Sequence, residues 1–279
     1  MLVRFSELLA EAASRRAAVG AFTCYNLETA VGVLRAAAAR PTGVMLLVSE
    51  QSFSAPGGPL LVAALVAAAH RASVPACVQL DHVRTLEPVE AAFDLGVSAV
   101  MADGSKLPLE ENVELVRAAG RRGEVEAELG GIEGHEDVAT AAAGGALTDP
   151  DEAAVFGGRS GAACLAVSIG NVHGIYAEPP KLDWARLEEI RRRVSIPLSL
   201  HGASGLADDD LRQAIALGVA KINVNTELRA RYLEVTTEQL DAARPGARVL
   251  ELNQAQAAAV AEVVAAKLDA YGPRRGHSP

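Results

Sequence analysis

The sequence has little of what several classes of protein require. It contains three cysteines, Cys24, Cys77 and Cys164, and none belongs to a CxxC pair, which argues against a disulfide framework or a structural zinc knuckle. No apolar run reaches the roughly 18 residues of a membrane span, and the N-terminal stretch has the mixed charge of an amphipathic segment rather than a signal peptide. We therefore expect a cytoplasmic protein with no membrane partner.

Positive charge is also scarce. The chain has 26 Lys and Arg residues against 35 Asp and Glu, for a formal net charge of −9. This balance gives no electrostatic reason to expect a nucleic acid or an anionic membrane as partner. Basic residues should then serve local purposes.

Half of the 279 residues are hydrophobic, which is enough for a sizeable core. Short strand-like runs alternate with Ala- and Leu-rich helical segments, a pattern typical of the α/β class with a parallel sheet. The predicted strands are 20–24, 44–49, 76–81, 99–103, 125–129, 164–170, 197–202 and 221–225. Eight such units predict a closed (β/α)8 TIM barrel, and a doubly wound open sheet is the weaker alternative. No linker divides the chain, so we expect one domain over 1–279.

The longest interruption of this pattern is a glycine-rich stretch at about 130–148. It lacks helical periodicity, and long irregular connections inside compact domains are usually lids or binding loops. We expect a mobile loop over the active site, followed much later by a C-terminal helical region.

Polar residues collect at the predicted carboxyl ends of the strands, where barrels carry their catalytic groups. They are Asp81, His82, Asp103, Glu126, Glu128, Asn171, His173, His201, Asn223 and Asn225. Catalytic zinc takes about three protein ligands and leaves a position open, and imidazole is a favoured donor. His82, His173 and His201 fit that requirement, although three unrelated histidines that cap strands are the alternative. His70 and His277 are expected to face solvent.

Two glycine- or asparagine-containing segments follow the last two strands, HGAS at 201–204 and NVNT at 223–226. Barrels commonly bind phosphate there, through backbone N–H groups and a helix N-terminus. The segment HGIY at 173–176, with Lys181 shortly after, is a further candidate. Each segment alone also fits ordinary turn chemistry.

Six ordered motifs carry a resemblance to a known family: QLDHV, MADGS, VEAELGGIEGHED, GNVHGIY, LSLHGASG and KINVNTELR. In this order and spacing they resemble the class II, metal-dependent ketose-bisphosphate aldolases, which include the fructose- and tagatose-bisphosphate enzymes. The likeness extends from about residue 21 to about residue 230.

The resemblance implies a role for each matching residue. His82, His173 and His201 would bind the catalytic zinc, and Asp81 would exchange the proton of the substrate's C4 hydroxyl. Asp103 and Glu128 match acidic residues at a second or alternative position for a divalent or monovalent cation, and Glu136 matches the acid/base at C3. The implied contacts to dihydroxyacetone phosphate are Ser49, Gly174, Gly202, Ala203, Ser204, Asn223, Val224, Asn225 and Thr226.

The chemistry requires these residue types. Retro-aldol cleavage leaves a carbanion beside a carbonyl, and zinc bound by the keto and neighbouring hydroxyl oxygens spreads that charge into an enediolate. The implied reaction is the reversible cleavage of a ketose 1,6-bisphosphate, of fructose or tagatose type, to dihydroxyacetone phosphate and an aldehyde in glycolysis or related carbohydrate metabolism. A homodimer or homotetramer is implied by likeness alone.

Some positions depart from the family pattern, and other functions remain open. Gln79 stands where histidine is frequent, Val83 where histidine or cysteine is frequent, and Thr23 where asparagine is usual, while Glu133 and His135 alter the loop. Alternatives are an aldolase for another ketose 1-phosphate, with Arg248 as the candidate contact for a distal phosphate, or a catalytically silent sugar-phosphate binder. A Schiff-base aldolase is disfavoured because Lys221 begins its strand, at the wrong end of the barrel. A zinc hydrolase of the barrel type is also disfavoured, because it would show an HxH pair at the end of the first strand and residues 20–24 contain no histidine.

Overall fold

The computed structural model describes residues 1–134, 136–178 and 180–272. Eight parallel strands form a closed barrel in which each strand pairs with its neighbours in the sequence and the last pairs with the first. In chain order they are β1 (Val19–Thr23), β2 (Val44–Ser49), β3 (Ala76–Val83), β4 (Ala99–Ala102), β5 (Glu124–Leu129), β6 (Cys164–Val167), β7 (Leu198–Leu200) and β8 (Val219–Val224). The prediction of a (β/α)8 TIM barrel is confirmed.

Helices lie between the strands and cover the outside of the barrel. They are α1 (Phe5–Ser14), α2 (Leu27–Ala38), α3 (Glu50–Ser54), α4 (Gly58–Arg71), α5 (Leu86–Asp94), α6 (Leu109–Gly120), α7 (Pro150–Ser160), α8 (Trp184–Arg193), α9 (Asp208–Ala216), α10 (Thr226–Ala243) and α11 (Val249–Tyr271). Several begin at a side chain that accepts from a free backbone N–H group: Asn26 caps α2, and Asp149 caps α7 just before Pro150. No helix in the described part of the chain combines the length and apolar character that crossing a bilayer requires.

The strand side chains divide between two faces because a strand has a period of two. One face packs outward against the helices in the main hydrophobic core. The other fills the barrel, and at its amino end this filling is apolar: Met45, Cys77 and Cys164 pack there against Phe5 and Leu9 of α1. Helix α1 thus closes the bottom of the barrel, and the polar side chains lie above this apolar floor.

The stretch 130–148 is irregular, apart from a two-residue strand, Ala141–Ala142, that pairs in parallel with Ile175–Tyr176. This pairing joins the loop to the segment that carries His173. His135 and His277 lie outside the described residues.

Candidate active site

Strand β3 is irregular where it reaches the carboxyl end of the barrel. Its register against β4 shifts between Leu80 and Val83, and His82 has a φ of 56°, in the left-handed region that side chains other than glycine rarely adopt. Neighbouring residues of a regular strand face opposite ways. Here the bulge lets Asp81 and His82 both reach the interior, and strain of this kind is typical of functional sites.

The three histidines of the predicted triad meet at this point. His82 Nε2 lies 3.1 Å from His201 Nδ1. The ring centroids of His82 and His173 are 4.9 Å apart, and those of His173 and His201 are 5.9 Å apart. One nitrogen from each ring lies within 4.8 Å of the other two. Since zinc–nitrogen bonds are about 2.0–2.1 Å long, nitrogens this close can share one ion.

His173 is the triad member whose ring nitrogen fits a metal most clearly. Its Nε2 is buried and makes no hydrogen bond within the described residues. Burial lowers the pKa of His173 to about 3, so the ring is neutral at ordinary pH. A neutral imidazole with an unused nitrogen is the form that binds a metal.

Two carboxylates lie on the other side of His82. Its Nδ1 is 3.2 Å from Asp103 Oδ2 and 3.6 Å from Glu128 Oε2. Burial and the nearby Asp103 raise the pKa of Glu128 to about 8. His82, Asp103 and Glu128 form a second group whose ligand atoms are close enough for a cation, as expected for the alternative position.

Asp81 lies beside the triad. Its Oδ2 accepts a hydrogen bond of 3.2 Å from Asn223 Nδ2, and its Oδ1 is buried without a hydrogen-bond partner in the described structure. Burial raises the pKa of Asp81, while charge on His82 and Lys221 acts in the opposite direction. The unused oxygen is available to accept a proton.

The glycine-rich loop brings Glu136 to the same place. Asn225 Nδ2 donates to the backbone oxygen and to Oε1 of Glu136, both at 2.8 Å, and Oε2 lies 3.3 Å from His173 Nε2. Thr23 Oγ1 is 3.4 Å from Oε1 of the same carboxylate. The loop therefore places its predicted acid/base against the triad.

The loop backbone also packs on the His173 segment. His173 N donates to Glu133 O at 2.7 Å, and a Cβ at Gly134 would lie 2.1 Å from the His173 carbonyl oxygen. Gly134 has a φ of +104°, so both space and conformation require glycine. Asp137 holds the loop to the ends of β1 and β2, since its carboxylate accepts a hydrogen bond from Tyr25 OH at 2.6 Å and another from Ser49 Oγ at 2.9 Å.

The predicted phosphate segments line one small cavity of about 10 Å³ beside the triad. Its walls are Glu136, His173, Gly174, Gly202, Ser204, Asn223, Asn225 and Thr226. Ala203 and Val224 lie between these residues in sequence and are buried. Thr226 begins α10, so the free N–H groups of that helix point to this region.

Three predicted contacts lie elsewhere. Ser49 lines a larger neighbouring cavity, and Lys181 is exposed and lies outside both sets of lining residues. Arg248 precedes α11, where it donates to Ala242 O and pairs with Glu251. Arg248 lines neither of the two cavities at the triad.

The larger cavity has a volume of about 700 Å³ and opens on the other side of His82 and His173. It is lined by Asp103, Glu128, the loop and two cations, Arg84 and Lys106. Carboxylates also line it at Glu50, Glu133, Asp149 and Glu152. Glu136 and His173 belong to the walls of both cavities, so the two cavities adjoin at the triad.

Some residues at the site were not assigned a role from the sequence. Tyr25 and Asp137 form the loop contact, and Asn171 donates to the backbone oxygen of His201 at 3.0 Å. Glu126 accepts from His201 Nε2 at 2.9 Å. Glu126 and Asn171 stood among the polar strand ends, but sequence alone does not show which partner each would meet.

A parallel barrel with a three-histidine cluster and carboxylates at its carboxyl rim belongs to the class of metal-dependent barrel enzymes. Comparison with known proteins narrows this class. The family model described as "Fructose-bisphosphate aldolase class-II" matches residues 3–274. The chain therefore belongs to the class II fructose-bisphosphate aldolase family, whose members are aldehyde-lyases that typically depend on zinc.

Individual relatives agree with this assignment. The chain is 40% identical over 247 residues to a fructose-bisphosphate aldolase of Geobacillus stearothermophilus, covering 86% of each chain. It is 40% identical over 222 residues to a sulfofructosephosphate aldolase of Alkalicoccus urumqiensis, covering 77% of each. The crystal structure of the YdjI aldolase from Escherichia coli K12 superposes with a TM-score of 0.87 at 32% identity, covering 99% of both chains. The chain is a class II aldolase that acts on ketose phosphates.

Proposed function

We propose that this aldolase reversibly cleaves a ketose 1,6-bisphosphate of fructose or tagatose type to dihydroxyacetone phosphate and an aldehyde. The observation that carries the proposal is the convergence of one nitrogen each from His82, His173 and His201 within 4.8 Å, beside Asp81. The donor set suits zinc, because the nitrogens are close and His173 Nε2, which lies 3.3 Å from Glu136 Oε2, makes no hydrogen bond in the described structure. When bound, zinc supplies electrostatic stabilisation for the negative charge that develops as the carbon–carbon bond breaks.

The C1 phosphate is proposed to bind in the small cavity formed by the segments 202–204 and 223–226. Backbone N–H groups at the start of α10 and the small residues Gly202 and Gly174 favour an anion there. A cavity of about 10 Å³ holds about one water molecule, not a phosphate. Phosphate binding therefore requires Glu136 to leave Asn225, which is why we propose that the loop 130–148 moves during the catalytic cycle.

Asp81 is proposed to take the proton of the C4 hydroxyl as the bond between C3 and C4 breaks. Its Oδ2 is held by Asn223, so Oδ1 is left to receive the proton. Burial favours the protonated carboxyl, and a cation bound by the adjacent His82 would favour the ionised form that a base requires. Glu136 is proposed to deliver a proton at C3 after the aldehyde has left.

Asp103 and Glu128 are proposed as the second or alternative cation position. Both carboxylates lie near His82 Nδ1, whereas the other ring nitrogen, Nε2, faces the triad. A rotation of His82 would exchange one set of ligands for the other. Whether this second position takes a divalent or a monovalent cation is decided by titrating each into the zinc-loaded protein.

The far end of the substrate is proposed to meet Arg84 and Lys106 in the large cavity, rather than Arg248. Arg84 is largely exposed and lies 3.6 Å from Asp103, so it can turn towards a ligand. A second candidate substrate carries a sulfonate at this end, since one relative is a sulfofructosephosphate aldolase. Both phosphate and sulfonate are anions that arginine binds with two hydrogen bonds.

The test is cleavage of a substrate panel by the zinc-loaded protein. The panel contains ketose 1,6-bisphosphates that differ at C4, ketose 1-phosphates, and a sulfonated ketose 1-phosphate. We expect cleavage of at least one member, abolition of cleavage by a chelator, and no adduct trapped by borohydride. A trapped adduct, or cleavage that survives complete removal of metal, would contradict the proposal.

Three further properties are proposed from family membership: a cytoplasmic location, a role in glycolysis or related carbohydrate metabolism, and a homodimer or homotetramer. Exposed apolar side chains on α10 and α11, Leu233, Val249 and Leu250, support the last. Light scattering coupled to size exclusion measures the mass directly. A monomer at micromolar concentration would contradict it.

A further inference from the structure

A buried ion pair lies beside the triad, inside the barrel, where Glu126 contacts His201. Lys221 Nζ is 2.7 Å from Glu126 Oε2, and both side chains have 0% exposure. We propose that Glu126 is a positioning residue that fixes the tautomer and orientation of His201, and that Lys221 extends the same constraint to Asp81. The proposal rests on the proposed function, since it assumes that His201 binds a metal.

All described contacts of the Glu126 carboxylate come from donors within the barrel. His201 Nε2 at 2.9 Å and Ser199 Oγ share Oε1. Gln79 Nε2 and Lys221 Nζ, both at 2.7 Å, share Oε2. Four donors on one carboxylate leave it little freedom to rotate, so its position is set before any ligand binds.

This carboxylate decides which nitrogen of His201 carries the proton. Ser199, Gln79 and Lys221 all direct donors at this carboxylate, so it acts as an acceptor towards His201 as well. His201 Nε2 is then the N–H donor, and Nδ1 bears the lone pair of the neutral ring. It is Nδ1 that faces His82 Nε2 at 3.1 Å. Glu126 therefore directs the metal-binding lone pair of His201 towards the centre of the triad.

Lys221 supplies the counter-charge of Glu126 inside the barrel. Its Nζ lies 2.7 Å from Glu126 Oε2 and neither side chain is exposed, so each buried charge is in direct contact with its partner. Removal of the ammonium alone would leave a buried carboxylate without its cation.

Lys221 is also linked to the proposed base, Asp81, by the side-chain amide of Asn223. Lys221 Nζ donates to Asn223 Oδ1 at 2.7 Å, which turns Asn223 Nδ2 towards Asp81 Oδ2 at 3.2 Å. Without the ammonium the amide could flip and present its oxygen to the carboxylate. Lys221, which is the third residue of β8 and not its first, thus contacts the partners of both a proposed zinc ligand and the proposed base. It lines neither of the two cavities at the triad.

Gln79 completes the arrangement with an uncharged donor. Its Nε2 binds Glu126 Oε2 while its Oε1 is buried without a hydrogen bond in the described structure. An amide at this position adds a hydrogen bond without adding a second positive charge beside Lys221. The net charge of the buried Glu126–Lys221 pair therefore stays at zero.

The test separates positioning from simple stability. The double variant Glu126→Gln with Lys221→Met removes both charges and keeps the side-chain volumes, so it should fold, because replacing both members of a buried pair is often neutral. We expect its zinc affinity, measured by competition with a chromophoric chelator, to fall about 10- to 100-fold. The visible spectrum of the cobalt-substituted protein should shift as well, since the ligand geometry changes.

Two further variants complete the design. Glu126→Asp keeps the charge but withdraws the carboxylate by one methylene, and we expect a similar loss of zinc affinity if the double variant does not fold. Lys267→Met is the matched control, because it breaks the 2.8 Å pair between Lys267 of α11 and Glu227 of α10. It should leave zinc affinity and the cobalt spectrum unchanged.

The outcomes distinguish the inference from the proposed function. If the unaltered protein fails to bind zinc, the proposed function is overturned. If it binds zinc and both Glu126 variants bind it equally well with the same cobalt spectrum, Glu126 has only a structural role and the inference is overturned.

Discussion

At the scale of single residues, the site depends on two neighbours, Asp81 and His82, that a regular strand would separate. The bulge in β3 places both in the barrel interior, and their roles are proposed to differ: one holds the metal and the other moves a proton. Substitutions at the two positions should therefore have distinguishable effects.

Asp81→Asn keeps the shape of the side chain but removes the base. We expect kcat for ketose-phosphate cleavage to fall by about 10²- to 10⁴-fold, the usual contribution of a general base. Zinc content measured by elemental analysis should stay at that of the unaltered protein, because Asp81 is not among the three proposed ligands.

The exposed Asp94, which pairs with Arg122 on the surface, supplies a matched control. Asp94→Asn should change kcat by less than about twofold, since surface ion pairs contribute little. An Asp81→Asn variant with nearly full kcat would show that another group accepts the proton.

Much of the residue-level site could be predicted from the sequence, because the motifs place each histidine at the end of a strand and a parallel barrel brings strand ends together. The structure places one nitrogen of each ring within 4.8 Å of the other two. The partners of Glu126 and Asp137 could not be predicted, because they come from distant strands. Gln79 and Lys221 meet Glu126 only once the barrel has closed.

At the scale of elements, the loops that follow the strands shape the candidate phosphate site. The eight predicted strands are present, since continuous apolar runs identify strands that are buried on both faces. The sixth was predicted to extend to residue 170 but ends at Val167. Side chains replace the strand pairing there: Ser168 N donates to Thr148 Oγ1 and Ile169 N to Asn171 Oδ1, and sequence periodicity does not report such contacts.

Gly202, directly after β7, has a backbone that another residue would strain. Its φ is +62°, and a Cβ would lie 2.1 Å from the Val172 carbonyl oxygen. We expect Gly202→Ala to destabilise the fold by about 1–3 kcal/mol in urea denaturation and to raise KM for the phosphorylated substrate.

Gly57, at the start of α4, is the control for this change. A Cβ there meets nothing within 4 Å, so Gly57→Ala should leave both the free energy of unfolding and KM nearly unchanged. Equal effects of the two substitutions on KM would show that the turn at Gly202 does not form the phosphate site.

At the scale of the whole molecule, the barrel holds an apolar floor at its amino end and a polar layer at its carboxyl end. Helix α1 seals the floor with Phe5 and Leu9, and the triad lies at the opposite end. The three histidines therefore lie on a framework that is closed by the rest of the chain, and a metal that bound only the folded state would add to its stability.

We expect zinc at 100 times its dissociation constant to stabilise the folded state by about 2.7 kcal/mol, which corresponds to a rise of several degrees in Tm. Differential scanning calorimetry with and without a chelator measures this shift. A His82→Ala variant should show a much smaller response to zinc. An equal rise in both proteins would place the stabilising metal elsewhere.

The central claim is that a single zinc ion lies between His82, His173 and His201. Anomalous diffraction at the zinc absorption edge, from crystals of the zinc-loaded protein, tests it most directly. We predict one strong peak about 2.0–2.1 Å from a nitrogen of each of the three rings. A zinc-loaded crystal with no peak at the triad, or with its peak bound elsewhere on the protein, would contradict the account.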